Sequence, residues 1–302
     1  MRKSPLSNLT IRSAVVRGPD IGSILACDLQ KEESWIPHAY ILEWQEGKFS
    51  KRTANFDAGS MCFITIPESA LVFLAAAGYY GIHYKSGSQN GSQAGDVFED
   101  SEPPPRRWGY IGFRSVSEIA GKAYAVGLRG MVYRLDTIKT WTRIDYGLPD
   151  TFDIEEIDGF SASDLYAVGY DGQAWRRYSE KWVQVDLPTN INLNTVKCAR
   201  DGMVYIAGHG GILIRGKNAT WKVLDHDKTD KDIWDLEWFN GELYVSTAKA
   251  VYRLRDERLE LVDFGADAPS SCRQLSVANG IMWSIGEYDI MSFNGRTWSR
   301  IV

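Results

Sequence analysis

The chain predicts an all-β fold built from repeated four-stranded antiparallel sheets, and three features of its second half carry that expectation. First, Tyr124, Tyr166, Tyr205, Tyr244 and Trp283 stand at intervals of 42, 39, 39 and 39 residues in one short phrase: KAYAVGLRG, DLYAVGYDG, MVYIAGHGG, ELYVSTAKA and IMWSIGEYD. Second, another phrase follows at a near-constant offset: TWTRID at Trp141, KWVQVD at Trp182, TWKVLD at Trp221, LELVDF from Leu259 to Phe264, and TWSRIV at Trp298. Third, Arg129-Gly130, Asp171-Gly172 and Gly210-Gly211 sit where tight hairpins need residues that tolerate positive φ. One four-stranded sheet cannot bury both faces alone, so a strand-rich period near 40 implies sheets packed on their neighbours. The expectation is a single seven-bladed β-propeller of four-stranded antiparallel blades over residues 1–302.

The blades are expected at 10–55, 60–102, 108–147, 152–187, 190–225, 232–264 and 271–302. In the first, strands at 13–17, 23–28, 38–44 and 48–53 flank an insertion, 30–37, that contains Trp35. In the second, the run 71–81 stands in for the AVGxxG phrase, 82–84 makes the third strand, and 85–94 is a long polar hairpin loop before a fourth strand at 96–98. The fourth repeat is the clearest, with strands at 153–160, 164–169, 173–178 and 181–187. The chain starts near a first strand and ends on a fourth. Closure is therefore expected by apolar packing of the last blade on the first, the alternative being a swapped outer strand from 9–16. The second-strand aromatics read as wedges between adjacent blades, with small Ala and Gly beside them for close approach, and the fourth-strand tryptophans as covers for the outer ends of their own blades.

Composition bounds the function. Of 302 residues, 44% are hydrophobic and 24% charged, as in an ordinary globular protein, and the formal net charge of −5 argues against a nucleic-acid backbone binder. The start lacks an apolar run of signal-peptide length, and the longest apolar stretch, 70–78, is too short to span a membrane. Cys27, Cys62, Cys198 and Cys272 lie far apart without a CxxC pair and read as buried thiols, which places the chain in the cytoplasm. The four histidines, His38, His83, His209 and His226, have no metal-binding spacing, and no nucleophile elbow or phosphate loop is present. The carboxylates of 153–158 give no clean acid pair, and those of 225–232 alternate with lysines, reading as solvated surface before a calcium loop. No catalytic residues, metal or cofactor are expected.

The phrase SASDLYAVGYDGQAWRRYSEKWVQVD resembles a bacterial β-propeller repeat family whose units read S-x-x-D-hydrophobic-Y-A-V-G-x-x-G and close on a Trp. The resemblance runs over about 109–302, with Thr247 where a Gly is expected. The stretches 292–298 and 217–221 are also similar to the Asp-box of sialidase-like propellers, the former one residue short and the latter lacking its Ser and Asp. Both resemblances imply architecture, because such repeats build scaffolds of varied role. A sialidase would further need an arginine cluster, for which Arg114 and Arg273 are the candidates, and no motif surrounds them.

What remains is one rim of loops. It would present Trp35, His38, Tyr79, Tyr80, Arg106, Arg107, Trp108, Arg129, Phe152, Asp171, His209, Trp234, Lys249 and Tyr288. Aromatics and arginines dominate protein-binding hot spots, and the prolines at 103–105 would present Arg106, Arg107 and Trp108 ready-made. The plain reading of Trp108 is a residue packed inward beside a rigid linker, that of Trp234 a core residue, and that of His209 a polar turn residue. The function expected is a monomeric, non-enzymatic, protein-binding propeller. Its specific role would be that of a cytoplasmic bacterial immunity protein that occludes a toxin or effector, a basic partner suiting the acidic chain. A carbohydrate-binding or glycoside-hydrolase propeller and a generic assembly scaffold are the alternatives.

Overall fold

The computed structural model describes residues 6–31, 38–54, 58–75, 82–86, 112–137 and 140–302, and consecutive antiparallel strands joined by short turns make up most of them. The first sheet holds β1 (Thr10–Gly18), β2 (Ile21–Cys27), β3 (Ala39–Gln45) and β4 (Lys48–Thr53). The next has three strands, β5 (Ala58–Ile64), β6 (Ala70–Ala75) and β7 (Ile82–Ser86). Four-stranded sheets follow: β8 (Phe113–Ile119), β9 (Lys122–Gly127), β10 (Val132–Thr137) and β11 (Thr140–Arg143), then β12 (Ile154–Ser161), β13 (Asp164–Gly169), β14 (Ala174–Tyr178) and β15 (Lys181–Val185). The fifth sheet holds β16 (Leu193–Cys198), β17 (Val204–Gly208), β18 (Leu213–Lys217) and β19 (Thr220–Val223). The sixth holds β20 (Ile233–Phe239), β21 (Glu242–Thr247), β22 (Val251–Arg255) and β23 (Arg258–Leu261). The last holds β24 (Gln274–Ala278), β25 (Ile281–Ile285), β26 (Ile290–Phe293) and β27 (Trp298–Arg300).

The expectation of seven four-stranded blades is therefore corrected to six, because the β5–β7 sheet has three strands among the described residues. Its last strand among the described residues is β7 (Ile82–Ser86), and no fourth strand pairs with it there. The fourth strand expected at 96–98 lies outside the described residues.

Two compact units divide the chain: Met1–Asp57, Ala199–Gly216 and Lys222–Val302 form one, and Ala58–Cys198 with Lys217–Trp221 the other. Within the first, the β1–β4 and β24–β27 sheets pack together, each made of consecutive strands, so no strand is exchanged between them. The Ala14 N–H donates to Gln274 Oε1 (3.2 Å), the Val16 N–H to Ser276 Oγ (3.1 Å) and the Ile11 N–H to the Glu287 carbonyl (2.8 Å). Trp283, fully buried, meets Trp44 edge-on at 5.6 Å, and any side chain at Gly22 would collide with its indole.

The periodic aromatics do face the following sheet. Tyr124 packs with Ile154 and Ile157, Tyr205 stacks on Trp238 at 6.1 Å, and Tyr244 meets Phe293 at 6.3 Å. Trp298 stacks on Phe293 of its own sheet at 4.7 Å, as expected, whereas two other fourth-strand tryptophans lean toward the preceding sheet. Trp182 donates its Nε1–H to the Ile144 carbonyl (2.8 Å), and Trp221 sets its ring against Tyr166 at 6.2 Å. A buried indole N–H needs an acceptor, and the carbonyl just past β11 supplies one.

Candidate functional site

Each AVGxxG phrase ends β9, β13 or β17 and turns the chain through a two-residue hairpin. Arg129 and Gly130 (φ 60 and 68), Asp171 and Gly172 (57 and 68), and Gly210 and Gly211 (61 and 77) all occupy the left-handed region, as a type I′ turn requires. A side chain from the start of the following sheet holds each turn. The Arg129 N–H donates to Asp153 Oδ1 (3.1 Å), the Asp171 N–H to Asn192 Oδ1 (3.0 Å) and the Gly210 N–H to Asp232 Oδ1 (2.9 Å). The first glycine of the phrase has a separate cause: a Cβ on Gly169 would overlap the Asp153 carbonyl oxygen, and one on Gly127 the Gly112 carbonyl oxygen.

The first strands are stitched to one another at a sequence separation of 40. In the second unit the Ser115 hydroxyl donates to the Glu155 carbonyl (2.8 Å), the Val196 N–H to Glu156 Oε2 (3.1 Å) and the Cys198 N–H to Asp158 Oδ2 (2.8 Å). In the first unit the Leu275 N–H donates to Asp235 Oδ2 (2.7 Å). The carboxylates of Asp153, Glu156 and Asp158 thus serve as acceptors for neighbouring backbone. Burial pushes the Asp158 carboxyl above the usual carboxylate range, against the opposing pull of Lys197 and two backbone amides.

On the first unit His209, Trp234 and Arg273 form a connected group. His209 opens the turn after β17 and meets the Trp234 ring edge-on at 6.4 Å. Trp234, half-buried at the start of β20, has the Arg273 guanidinium 4.3 Å above its ring. Lys249 lies exposed in the turn after β21, whose Ala248 carbonyl accepts from the Cys272 N–H (3.1 Å), next to Arg273. Tyr288, 54% exposed, belongs to the turn after β25, anchored where the Glu287 N–H meets Ser271 Oγ (2.9 Å). His38 precedes β3 and is buried.

On the second unit, Arg129 and Asp171 are exposed at their turn tips, and Phe152 is fully buried against Trp175. Arg129 pairs with Asp150 (3.4 Å), and Arg114 with Glu155 (3.4 Å). Tyr170 sits beside this pair, and its hydroxyl pKa is raised first by the Glu155 charge and then by burial. Trp35, Tyr79, Tyr80, Arg106, Arg107 and Trp108 lie outside the described residues.

Sequence reading passed over a second repeated motif. Ten residues after Tyr124, Tyr166 and Tyr205, an arginine from the third strand comes under an acid: Arg134 with Asp136 (2.7 Å), Arg176 with Asp164 (2.8 Å) and Arg215 with Asp201 (3.7 Å). Arg176 and Arg215 also lie over their tyrosine rings at 5.3 and 5.7 Å. The signal was present as YRL, WRR and IRG in successive repeats. Among the described residues no three His, Cys, Asp or Glu side chains converge as a metal would need, no disulfide forms, and no helix is long and apolar enough to cross a membrane.

No family model matches the chain. It is 36% identical over 312 aligned positions to the immune protein Tsi7 of Pseudomonas aeruginosa (strain PAO1), covering 99% of this chain and 98% of that one. Solved structures of similar fold include virginiamycin B lyase from Staphylococcus aureus (TM-score 0.73, 10% identity, 95% of each chain). Others are the WD40 β-propeller domain of Doa1 (TM-score 0.68, 12% identity, 97% of this chain and 92% of that one) and YCF48 bound to a D1 peptide (TM-score 0.67, 15% identity, 94% and 91%). At those identities the likeness is one of fold, and the fold is a β-propeller.

Proposed function

The chain belongs to the family of the immune protein Tsi7, and from that premise we propose that it is an immunity protein: it binds a toxin protein and neutralises it without catalysis. The end-to-end match to a protein of that name carries the reading. The geometry supports it in two ways. The first-strand acids are engaged in holding the sheets: Glu156, Asp158 and Asp235 accept backbone N–H groups and Glu155 pairs with Arg114. Meanwhile the turns of the first unit expose an aromatic and cationic surface suited to protein contact, with Trp234, Arg273, Lys249 and Tyr288 at hand. The protein would act in the cytoplasm as a monomer, where four cysteines without a disulfide suit a reducing compartment.

The test is protection. The product of the gene next to this chain's own is expressed in a sensitive bacterium, alone and with the chain. Growth should stop in the first case and recover in the second. Continued arrest in the presence of abundant, folded chain would reject the reading, and hydrolysis of a glycan by the purified chain would replace it.

A further inference from the structure

The charges of the two units are settled differently. The repeat's own arginines are all matched with acids: Arg134 with Asp136, Arg176 with Asp164, Arg215 with Asp201 and Arg253 with Glu260. The turn-face arginines of the second unit are matched as well, Arg114 by Glu155 and Arg129 by Asp150. Arg273 and Lys249, on the first unit, are exposed and have no carboxylate in ion-pair range among the described residues. Acids on the same strands and turns are already engaged. Asp232 holds the Gly210 N–H, Asp235 holds the Leu275 N–H, and Asp289 accepts from Ser270 and Arg300. Glu287, exposed beside Tyr288, offsets part of the remaining positive charge.

We propose that the His209–Trp234–Arg273 stack, with Lys249 beside it, is the seat of an acidic segment of the toxin, a loop that presents aspartate or glutamate; this rests on the immunity reading above. A guanidinium held 4.3 Å over an indole is weakly hydrated and already positioned, so pairing it with a carboxylate loses little further entropy. Unmatched cations elsewhere lack this setting: Arg258 and Arg296 stand at the tips of outer hairpins without an aromatic partner among the described residues. A mainly apolar groove opens directly beside Lys249, lined by Ala250, Val262, Phe264 and Pro269 with the exposed Leu261, and by Asp263, whose carboxylate accepts from the Gly265 N–H (2.7 Å). The occupant is therefore an acidic residue flanked by an apolar side chain. The net charge of −5 acts at long range and favours a partner that is basic overall, while this face sets the sign of the local contact.

The experiment measures affinity for the purified product of the adjacent gene by titration calorimetry, across four forms of the full chain: wild type, K249E/R273E, K249Q/R273Q, and R258E/R296E, which makes the same change in net charge elsewhere on the same unit. Thermal melting confirms that each is folded. Charge reversal at the stack should weaken binding roughly hundredfold and neutralisation roughly tenfold, with R258E/R296E within about threefold of wild type. The association rate of wild type should fall with salt more steeply than that of K249E/R273E. Wild-type binding with K249E/R273E within about threefold of it would overturn the assignment and leave the immunity reading standing. Equal losses in K249E/R273E and R258E/R296E would overturn it too, as the sign of a diffuse charge effect. A stack that retains a single-stranded oligonucleotide, lost in K249E/R273E while toxin binding is unchanged, would assign it to nucleic acid instead. Failure of wild type to bind the toxin would bring down both readings together.

Discussion

Single side chains carry two kinds of constraint here, steric and electrostatic. Gly169 is required because its Cβ would enter the Asp153 carbonyl, and backbone cannot move aside as a flexible side chain can. Gly169→Ala should lose about 2–3 kcal/mol in urea unfolding. Gly47→Ala, at φ +75 with open space around it, should lose about 1 kcal/mol. Asp136 takes two bonds from Arg134 (2.7 and 3.0 Å) and one from Lys122 (3.0 Å), and the Arg134 bonds above all hold its carboxyl well below the usual range, against burial. A carboxyl depressed in the folded state contributes stability that is present above its unfolded pKa, near 4, and lost as the pH falls toward the folded value. Asp136→Asn should therefore destabilise by about 1 kcal/mol at pH 7, and the gap from wild type should close as the pH drops below about 3. A gap that stays constant with pH would assign the effect to packing. The AVGxxG glycines were legible in the sequence, as were the hairpins at Arg129-Gly130 and Asp171-Gly172, because one residue type answers one backbone need. Asp136 was not, since its role depends on Arg134 and Lys122 meeting across strands.

Strands and their stitches show how far periodicity reaches. The boundaries of β12–β15 and β20–β23 follow the repeat to within a residue or two, whereas the sheet of β5–β7 holds three strands among the described residues. Sequence reading took the carboxylates of 153–158 one strand at a time and found no pattern. Their pattern lies between strands, Glu156 and Asp158 each meeting an N–H 40 residues on, and alternation within a strand cannot reveal that. Asp235 shows the strength of such a stitch. Asp235→Ala leaves the Leu275 N–H without its acceptor in a part-buried setting and should lose about 1–3 kcal/mol, while Asp235→Asn, which keeps an oxygen there, should lose less. Equal losses by thermal or urea unfolding would show that the charge, and not the acceptor, matters.

Across the full chain, repetition supplies the architecture. Trp283 on Trp44 and the Gln274 contact to Ala14 join the ends of the chain with the same second-strand aromatic that fills each earlier interval, so that seam was legible. The candidate surface was legible only in part. His209, Trp234, Lys249 and Tyr288 were selected as loop residues of the right chemistry, but Arg273 entered as an arginine without a motif, and its position over Trp234 comes from two strands 39 residues apart. Which arginines are already matched with acids is a property of neighbouring sheets, invisible in a linear reading. The most direct measurement is a titration of the toxin's own activity, in vitro, with the purified chain. If the chain neutralises by binding, activity should fall linearly and vanish near one equivalent, as expected for a complex of nanomolar affinity or tighter, about −12 kcal/mol. Activity that persists at about a tenfold excess of folded chain, well above any useful dissociation constant, would contradict it.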